Sequence, residues 1–131
     1  MARVLLVDDS PMMLKLLEDV LVKHGAELYN SEWPLQITLA ANAMEALELF
    51  RDNTYELLIT DILMSRMDGW EFIRELRKKY NRSELPIVVC SALDGADLQY
   101  EAVRNGASLW FTKPIHPKEF ANAVFRLLAE R

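Results

Sequence analysis

Short apolar runs alternate five times with longer amphipathic stretches along this chain. The apolar runs are partly β-branched, as buried strands are, and they lie near residues 3–7, 36–40, 56–60, 86–90 and 108–112. Apolar residues at helical spacing fill the stretches near residues 11–24, 43–51, 69–80, 95–105 and 117–129. Five such alternations predict an α/β domain with a parallel sheet, helices on both faces and right-handed crossovers.

Residues that favour helix ends mark two of the predicted helices. Ser10 and Pro11 supply an N-cap and a first-turn proline for the first helix, and Gly25 predicts its end. Asp94 is expected to cap the fourth helix, and Gly106 is expected to close it. These signals support the alternation that the hydrophobic pattern predicts.

The stretch 26–35 is longer than the usual connection of about 2–6 residues between a helix and a strand. We expect the first helix to continue for a turn and a loop to fold back from it. A partner-binding loop is the alternative.

Composition excludes several classes of protein. A chain of 131 residues is long enough for one domain with a real core. The net charge of −5 and the lack of a basic stripe argue against direct nucleic-acid binding. No apolar stretch reaches the roughly 20 residues of a membrane helix, and the start has no signal-peptide pattern. The single cysteine, Cys90, lies in an apolar run and is expected in the core, which fits a reducing cytoplasm.

Three aspartates follow the ends of predicted strands. Asp8 and Asp9 follow the first strand, and Asp61 follows the third. Ligands of open α/β sheets bind at the carboxyl ends of the strands, so these carboxylates should gather there. Gathered carboxylates repel one another unless a cation joins them. An oxygen-only cluster without cysteine or histidine suits Mg²⁺ better than zinc.

Two more polar residues follow predicted strands: Ser91 follows the fourth and Lys113 the fifth. The informative motifs are Val7-Asp8-Asp9-Ser10, the stretch from Asp61 to Gly69, Ser91-Ala92 and Lys113-Pro114. With these motifs in register, essentially the whole chain resembles the response-regulator receiver domain of two-component signalling, in the CheY-like superfamily. The resemblance implies one receiver domain over residues 1–131. Its fold would be flavodoxin-like (βα)5, doubly wound, with the parallel strands in the order 2-1-3-4-5.

The resemblance also implies roles for the residues at the strand ends. Asp61 would accept the phosphoryl group as an aspartyl phosphate, and Lys113 and Ser91 would contact its oxygens. Mg²⁺ would be bound by Asp9, by Asp61 and by the backbone carbonyl of Leu63, with Asp8 helping through a water molecule. The peptide bond between Lys113 and Pro114 is expected to be cis.

Three positions depart from the family pattern or tune it. Ser65 stands where a proline is usual, so the loop after Asp61 should be more mobile. Leu63 and Leu93 flank the path of the hydrolytic water in receivers, and leucine cannot hydrogen-bond that water. We therefore predict slow self-dephosphorylation.

Trp110 occupies the position of the switch aromatic, usually tyrosine or phenylalanine. We hypothesise that it turns inward when the Ser91 hydroxyl moves toward the phosphoryl group. The alternative is that Trp110 stays in one rotamer and signals little.

Two surfaces are candidates for partners. Met12 and Leu16, predicted to be exposed on the first helix, resemble the patch on which a phosphodonor helix docks. The second surface, on the fourth helix, fifth strand and fifth helix, would read out the switch. It includes Tyr100, Val103, Trp110, Phe111 and parts of 120–128, although most of its aromatic side chains could equally belong to the core. Phosphorylation-dependent formation of a homodimer stays open.

The predicted function is that of a cytoplasmic signalling domain, not an enzyme acting on a separate substrate. It would take its phosphoryl group from a histidine kinase or phosphotransfer protein and catalyse only its own phosphorylation and slow dephosphorylation. Its output would be contact with an unidentified protein, with no membrane and no direct nucleic-acid partner. The chain could equally be a receiver excised from a larger regulator or hybrid kinase. A dehalogenase-like phosphatase is disfavoured, because it needs a second aspartate where this chain has Leu63, and nothing favours an unphosphorylated pseudo-receiver.

Overall fold

The computed structural model describes residues 2–29, 35–64 and 67–130. The strands are β1 (Ala2–Val7), β2 (Leu35–Ala40), β3 (Leu57–Thr60), β4 (Ile87–Ser91) and β5 (Leu109–Thr112). The helices are α1 (Pro11–Tyr29), α2 (Ala43–Asp52), α3 (Gly69–Arg77), α4 (Ala96–Asn105) and α5 (Pro117–Ala129). The predicted fivefold alternation is confirmed. Within the described ranges, no helix has the length and apolar character needed to cross a membrane.

The five strands form one parallel sheet in the order β2-β1-β3-β4-β5, which confirms the predicted order. The chain moves outward from β1 to β2 and then returns to place β3 on the other side of β1. In open α/β sheets, the crevice at such a switch point is the usual place for a ligand. The residues that follow β1 and β3 are therefore the first place to look for a site.

Successive strand residues point to opposite faces, so the sheet has a core on each side. One core packs Leu6 and Ile59 against α1 and α5, and Cys90 lies in it at 1% exposure, as expected. The other packs Leu5 and Leu58 against α2, α3 and α4. The two cores fix the helices around the sheet.

Helix α1 buries an apolar face but does not end where the sequence predicts. Leu14, Leu17 and Leu21 are buried, and the Ser10 hydroxyl accepts a hydrogen bond from the Met13 amide at 3.2 Å, as an N-cap does. The end predicted at glycine 25 is wrong, because α1 runs through that position as far as residue 29. A Cβ atom at this glycine would lie 2.8 Å from the ring of phenylalanine 125. The glycine thus permits close packing of α1 on α5, and the expected extension of the helix is confirmed.

Residues 30–34, the rest of the irregular stretch, lie outside the described ranges, so the prediction of a loop folding back is not tested there. Helix α3 ends at Arg77, earlier than predicted. The Lys79 amide bonds to the Leu76 carbonyl three residues back at 3.0 Å, which tightens the last turn.

Helix α4 confirms one predicted end signal and corrects the other. Gly106 closes the helix with a φ of 111°, which favours glycine. The prediction that Asp94 caps the helix is wrong. Gly95 takes the N-cap position without a side-chain cap, and the Asp94 carboxylate accepts from the Gly95 amide at 2.8 Å. Asp94 lies one residue too early to reach the first-turn N–H groups.

Candidate functional site

Two of the predicted carboxylates lie side by side at the switch point. Asp8 directly follows β1 and Asp61 directly follows β3, and these strands are neighbours in the sheet. The Asp8 amide donates to the Ala40 carbonyl at 3.2 Å, and the Asp61 amide donates to the Val7 carbonyl at 3.1 Å. Backbone bonds to adjacent strands therefore hold both residues at one edge of the sheet. Their exposures are only 2% and 5%.

Lys113 joins these two carboxylates. Its Nζ donates to Oδ2 of Asp8 and to Oδ2 of Asp61, each at 2.8 Å. The residue follows β5, and its amide donates to the Ser91 carbonyl at 2.8 Å. The peptide bond between Lys113 and Pro114 is cis, as predicted. A lysine side chain that is 16% exposed thus offsets the charge of two nearly buried acids.

The environment of Lys113 acts on its pKa in two directions. Burial lowers the pKa, since a charged ammonium is disfavoured away from water. Hydrogen bonds and charge attraction from Asp61 and Asp8 outweigh burial and raise the pKa above its ordinary value of 10.5. The ammonium is therefore charged at neutral pH.

Backbone donors fix the remaining oxygen of Asp61. Its Oδ1 accepts from the Ile62 amide at 2.6 Å and from the Leu63 amide at 3.1 Å. These bonds orient the carboxylate from the side away from Lys113. The sequence analysis assigns no role to two residues that support this arrangement. The Thr60 hydroxyl donates to the Asp61 carbonyl at 2.9 Å, and a Cβ at Gly69 would lie 2.4 Å from Cα of Ile62.

Only the second of these residues left a signal in the sequence. The glycine follows the aspartate that caps α3. At such a position a glycine indicates that two backbone segments approach too closely for a side chain. The threonine hydroxyl bonds to the next residue in a buried strand, and no spacing rule predicts such a bond.

Ser91 is the last residue of β4 and is fully buried. Its Oγ accepts a hydrogen bond from the Leu93 amide at 3.2 Å. That bond uses a lone pair of the hydroxyl, so the hydroxyl proton is left to donate elsewhere. Ser91 therefore lies at the same edge of the sheet, with a hydroxyl proton that can be donated in a hydrogen bond.

The other two residues predicted to bind the metal are close to this group along the chain, since Asp9 follows Asp8 and Leu63 lies two residues after Asp61. Asp9 is exposed, and Leu63 is 49% exposed. Among the described residues, no three histidine, cysteine, aspartate or glutamate side chains are placed to hold a metal together. The donor chemistry nevertheless fits Mg²⁺, because this ion uses one or two carboxylates and keeps several waters. The site is an oxygen-rich edge in which Lys113 pairs with Asp8 and Asp61.

Trp110 lies on β5 and is partly buried. Its ring stacks on Trp70 of α3, with centroids 6.5 Å apart and planes at 28°. Its indole N–H donates to the Thr112 hydroxyl at 3.2 Å. Sequence reasoning identified Trp110 but missed both partners, and its turning is not tested by this structure. The prediction about Ser65 concerns a residue outside the described ranges.

The predicted partner surfaces are only partly exposed. Met12 is 82% and Leu16 is 45% exposed on α1. On α4, Tyr100 and Val103 are 65% and 48% exposed. Within 120–128 the larger apolar side chains Phe120, Val124, Phe125 and Leu128 are buried against the sheet. Other parts of this run, including Asn122 and Arg126, are exposed.

Known proteins share both this sequence pattern and this fold. The family model for the response regulator receiver domain matches residues 4–125. The chemotaxis protein CheY of Bacillus subtilis is 29% identical over 96% of this chain and 97% of its own length. CheY of Thermotoga maritima is 31% identical over 93% of this chain and 93% of its own length.

Solved structures lead to the same family. The chemotaxis response regulator CheY4 of Vibrio cholerae superposes with a TM-score of 0.81 at 26% identity, over 97% of this chain and 98% of that chain. The family model covers nearly all of the chain, and the order of the strands in the sheet agrees with it. The chain belongs to the response regulator receiver domain family.

Proposed function

We propose that this receiver accepts a phosphoryl group on Asp61 in a magnesium-dependent reaction and signals by protein–protein contact. The observation that supports this best is the pair of 2.8 Å bonds from Lys113 to Asp8 and Asp61. A buried carboxylate with a cation beside it has both the nucleophile and the counter-charge that phosphoryl transfer requires.

The proposed reaction is an in-line displacement. A carboxylate oxygen of Asp61 attacks the phosphorus atom, forming a P–O bond, and the bond from phosphorus to the donor's imidazole nitrogen breaks. The leaving imidazole takes up a proton from solvent. Lys113 already pairs with Asp61, so its ammonium lies where it can pair with a phosphoryl oxygen. The Ser91 hydroxyl donates a hydrogen bond to another phosphoryl oxygen.

Four groups would hold the magnesium ion. These are the carboxylates of Asp9 and Asp61, the backbone carbonyl of Leu63 and, through a water molecule, Asp8. When bound, the ion supplies positive charge that offsets the repulsion between the carboxylate and the incoming phosphoryl group.

The proposed phosphodonor is a histidine kinase or a phosphotransfer protein. It would dock beside Met12 and Leu16, two apolar side chains exposed on α1. An unidentified downstream protein would bind the face that carries Tyr100 and Val103, and dimerisation on phosphorylation stays open. We place the reaction in the cytoplasm, in keeping with the unpaired, buried thiol of Cys90.

The chain would catalyse only its own phosphorylation and slow dephosphorylation. The proposal covers residues 1–131 as one receiver domain, either acting alone or as part of a longer regulator or hybrid kinase.

The test is intact-mass measurement after incubation with Mg²⁺ and acetyl phosphate. Wild type should gain one phosphoryl group, and Asp61→Asn should gain none. Asp68→Asn is the matched control, because Asp68 caps α3 by accepting from the Glu71 amide, and asparagine keeps that cap. The control should be labelled like wild type, and a chelator should abolish labelling. An adduct that persists in Asp61→Asn, or its absence in wild type, would refute the proposal.

A further inference from the structure

A hydrogen-bonded bridge connects β5 with the loop between β4 and α4. The indole N–H of Trp110 donates to the Thr112 hydroxyl at 3.2 Å, and that hydroxyl donates to Oδ1 of Asp94 at 3.4 Å. An indole N–H can only donate and an ionised carboxylate can only accept, so the direction of this chain of bonds is fixed. The hydroxyl proton of Thr112 is therefore directed to the loop.

The bond to Thr112 requires a tryptophan at position 110. Stacking on Trp70 holds the plane of the Trp110 ring, which aims its N–H along β5. A phenylalanine at this position has no donor, and a tyrosine carries its hydroxyl at the far end of the ring. The bridge is thus a consequence of the unusual residue at position 110 and of Thr112 two residues later.

The bridge ends on the segment that orients Ser91. Ser91 and Thr112 are register partners at the ends of β4 and β5. The Ser91 hydroxyl accepts from the Leu93 amide, and Asp94 is the next residue along the chain. The turn is therefore fastened at its start by Ser91 and at its end by Thr112. Helix α4 begins just beyond it without a side-chain cap, so the helix itself fastens this end poorly.

We propose that Thr112 is a positioning residue for phosphoryl transfer, acting with Asp94 and Trp110. The bridge holds the turn after β4 so that the Ser91 hydroxyl stays aimed at the site of Asp61. Thr112 acts through Ser91 and does not itself contact the transferred group. This inference rests on the proposed function, since it assigns a role within that reaction.

The test compares Thr112→Val, which keeps the shape and removes the hydroxyl, with Thr112→Ser, which keeps the hydroxyl. Rates of phosphorylation by acetyl phosphate with Mg²⁺ are measured by intact mass, in wild-type and Ser91→Ala backgrounds. Thr112→Val should slow the reaction about fivefold, the factor that one net hydrogen bond corresponds to. Thr112→Ser should stay close to wild type. In the Ser91→Ala background, Thr112→Val should cause no further loss.

Two results would overturn the inference while leaving the proposed function intact. One is a Thr112→Val rate equal to that of wild type. The other is the same loss in both backgrounds, which would reveal a general structural effect. If Thr112→Val does not fold, Asp94→Ala and Asp94→Asn take its place, because asparagine keeps the accepting oxygen. No labelling of wild type would refute the proposed function and this inference together.

Discussion

Two partly buried cations at opposite ends of the sheet differ in what they bind. At the carboxyl ends of the strands, Lys113 binds two carboxylates. At the other end, the Arg77 guanidinium donates to backbone carbonyls of Gly106, Tyr80, Asn81 and Leu85, at 2.6 to 3.2 Å. Lys113 binds groups that carry charge, whereas Arg77 binds groups that carry none.

The difference appears in the two pKa values. Carboxylates raise the pKa of Lys113 despite its burial. Burial, with a smaller contribution from the nearby charge of Arg82, lowers the pKa of Arg77 to about 10. A carboxylate can be converted chemically, which would release Lys113 for a new partner, but a backbone carbonyl cannot. Lys113 is therefore suited to chemistry, whereas Arg77 holds α3 to the end of α4 and to the segment that precedes β4.

The largest effect on stability is expected at Arg77. Arg77→Met leaves several carbonyls without their donor, and we expect the free energy of unfolding to fall by about 3 kcal/mol. Urea unfolding measures the change. Arg74→Met is the matched control on the same helix, because Arg74 makes an exposed bond to Asn105. Its loss should stay within about 0.5 kcal/mol. Equal stability of the two variants would refute the structural role assigned to Arg77.

A smaller loss is expected at Lys113. Lys113→Met leaves the carboxylates of Asp8 and Asp61 adjacent, nearly buried and without their shared cation, at a cost of about 2 kcal/mol. Adding Asp61→Asn removes one of the two like charges and should restore part of the stability. Urea unfolding of the single and double variants checks this. A double variant less stable than Lys113→Met would contradict the charge explanation.

The contribution of Lys113 should also depend on pH with a definite sign. Its pKa is raised above 10.5 in the folded protein, so its stabilisation is fully present below pH 10.5. It is lost as pH rises through the folded-state pKa, because the neutral amine no longer balances two carboxylates. The stability difference between wild type and Lys113→Met should therefore shrink in that alkaline range. A difference that stays constant there would count against charge pairing as the cause.

The contacts among Asp8, Asp61 and Lys113 were largely predictable from sequence, because residues that follow parallel strands meet at one edge of the sheet. Asp8, Asp61 and Lys113 each directly follow an apolar run, and parallel strands bring such positions to one edge. Their direct contact follows from that placement. The strand order came from the family resemblance, whereas the alternation of elements came from hydrophobic spacing.

The contacts of Arg77 were not predictable from sequence, because they join residues that no local pattern connects. Arg77 reaches the Gly106 carbonyl across 29 residues of sequence. The same limit explains the two wrong helix ends. Gly25 was interpreted as a local stop, although its role is to admit Phe125 of α5. Asp94 was interpreted as a local cap, although its carboxylate accepts from Thr112, 18 residues away.

The smallest expected effect concerns the lifetime of the phosphoryl group and leaves stability alone. Leu63 is 49% exposed beside Asp61 and cannot hydrogen-bond an attacking water. Leu63→Asn should therefore speed loss of the phosphoryl group about threefold, the scale of one weak hydrogen bond, with unfolding unchanged within about 0.5 kcal/mol.

The measurement is decay of the mass adduct after acetyl phosphate is removed. Leu63→Met is the matched control, since it stays apolar and should decay like wild type, and Leu93→Asn should act in the same direction as Leu63→Asn. An unchanged or slower decay in Leu63→Asn would refute the role of leucine. Accelerated decay at unchanged stability would show that the chemistry at the Lys113 end of the sheet can be tuned without cost to the fold, whereas Arg77→Met is expected to act on stability.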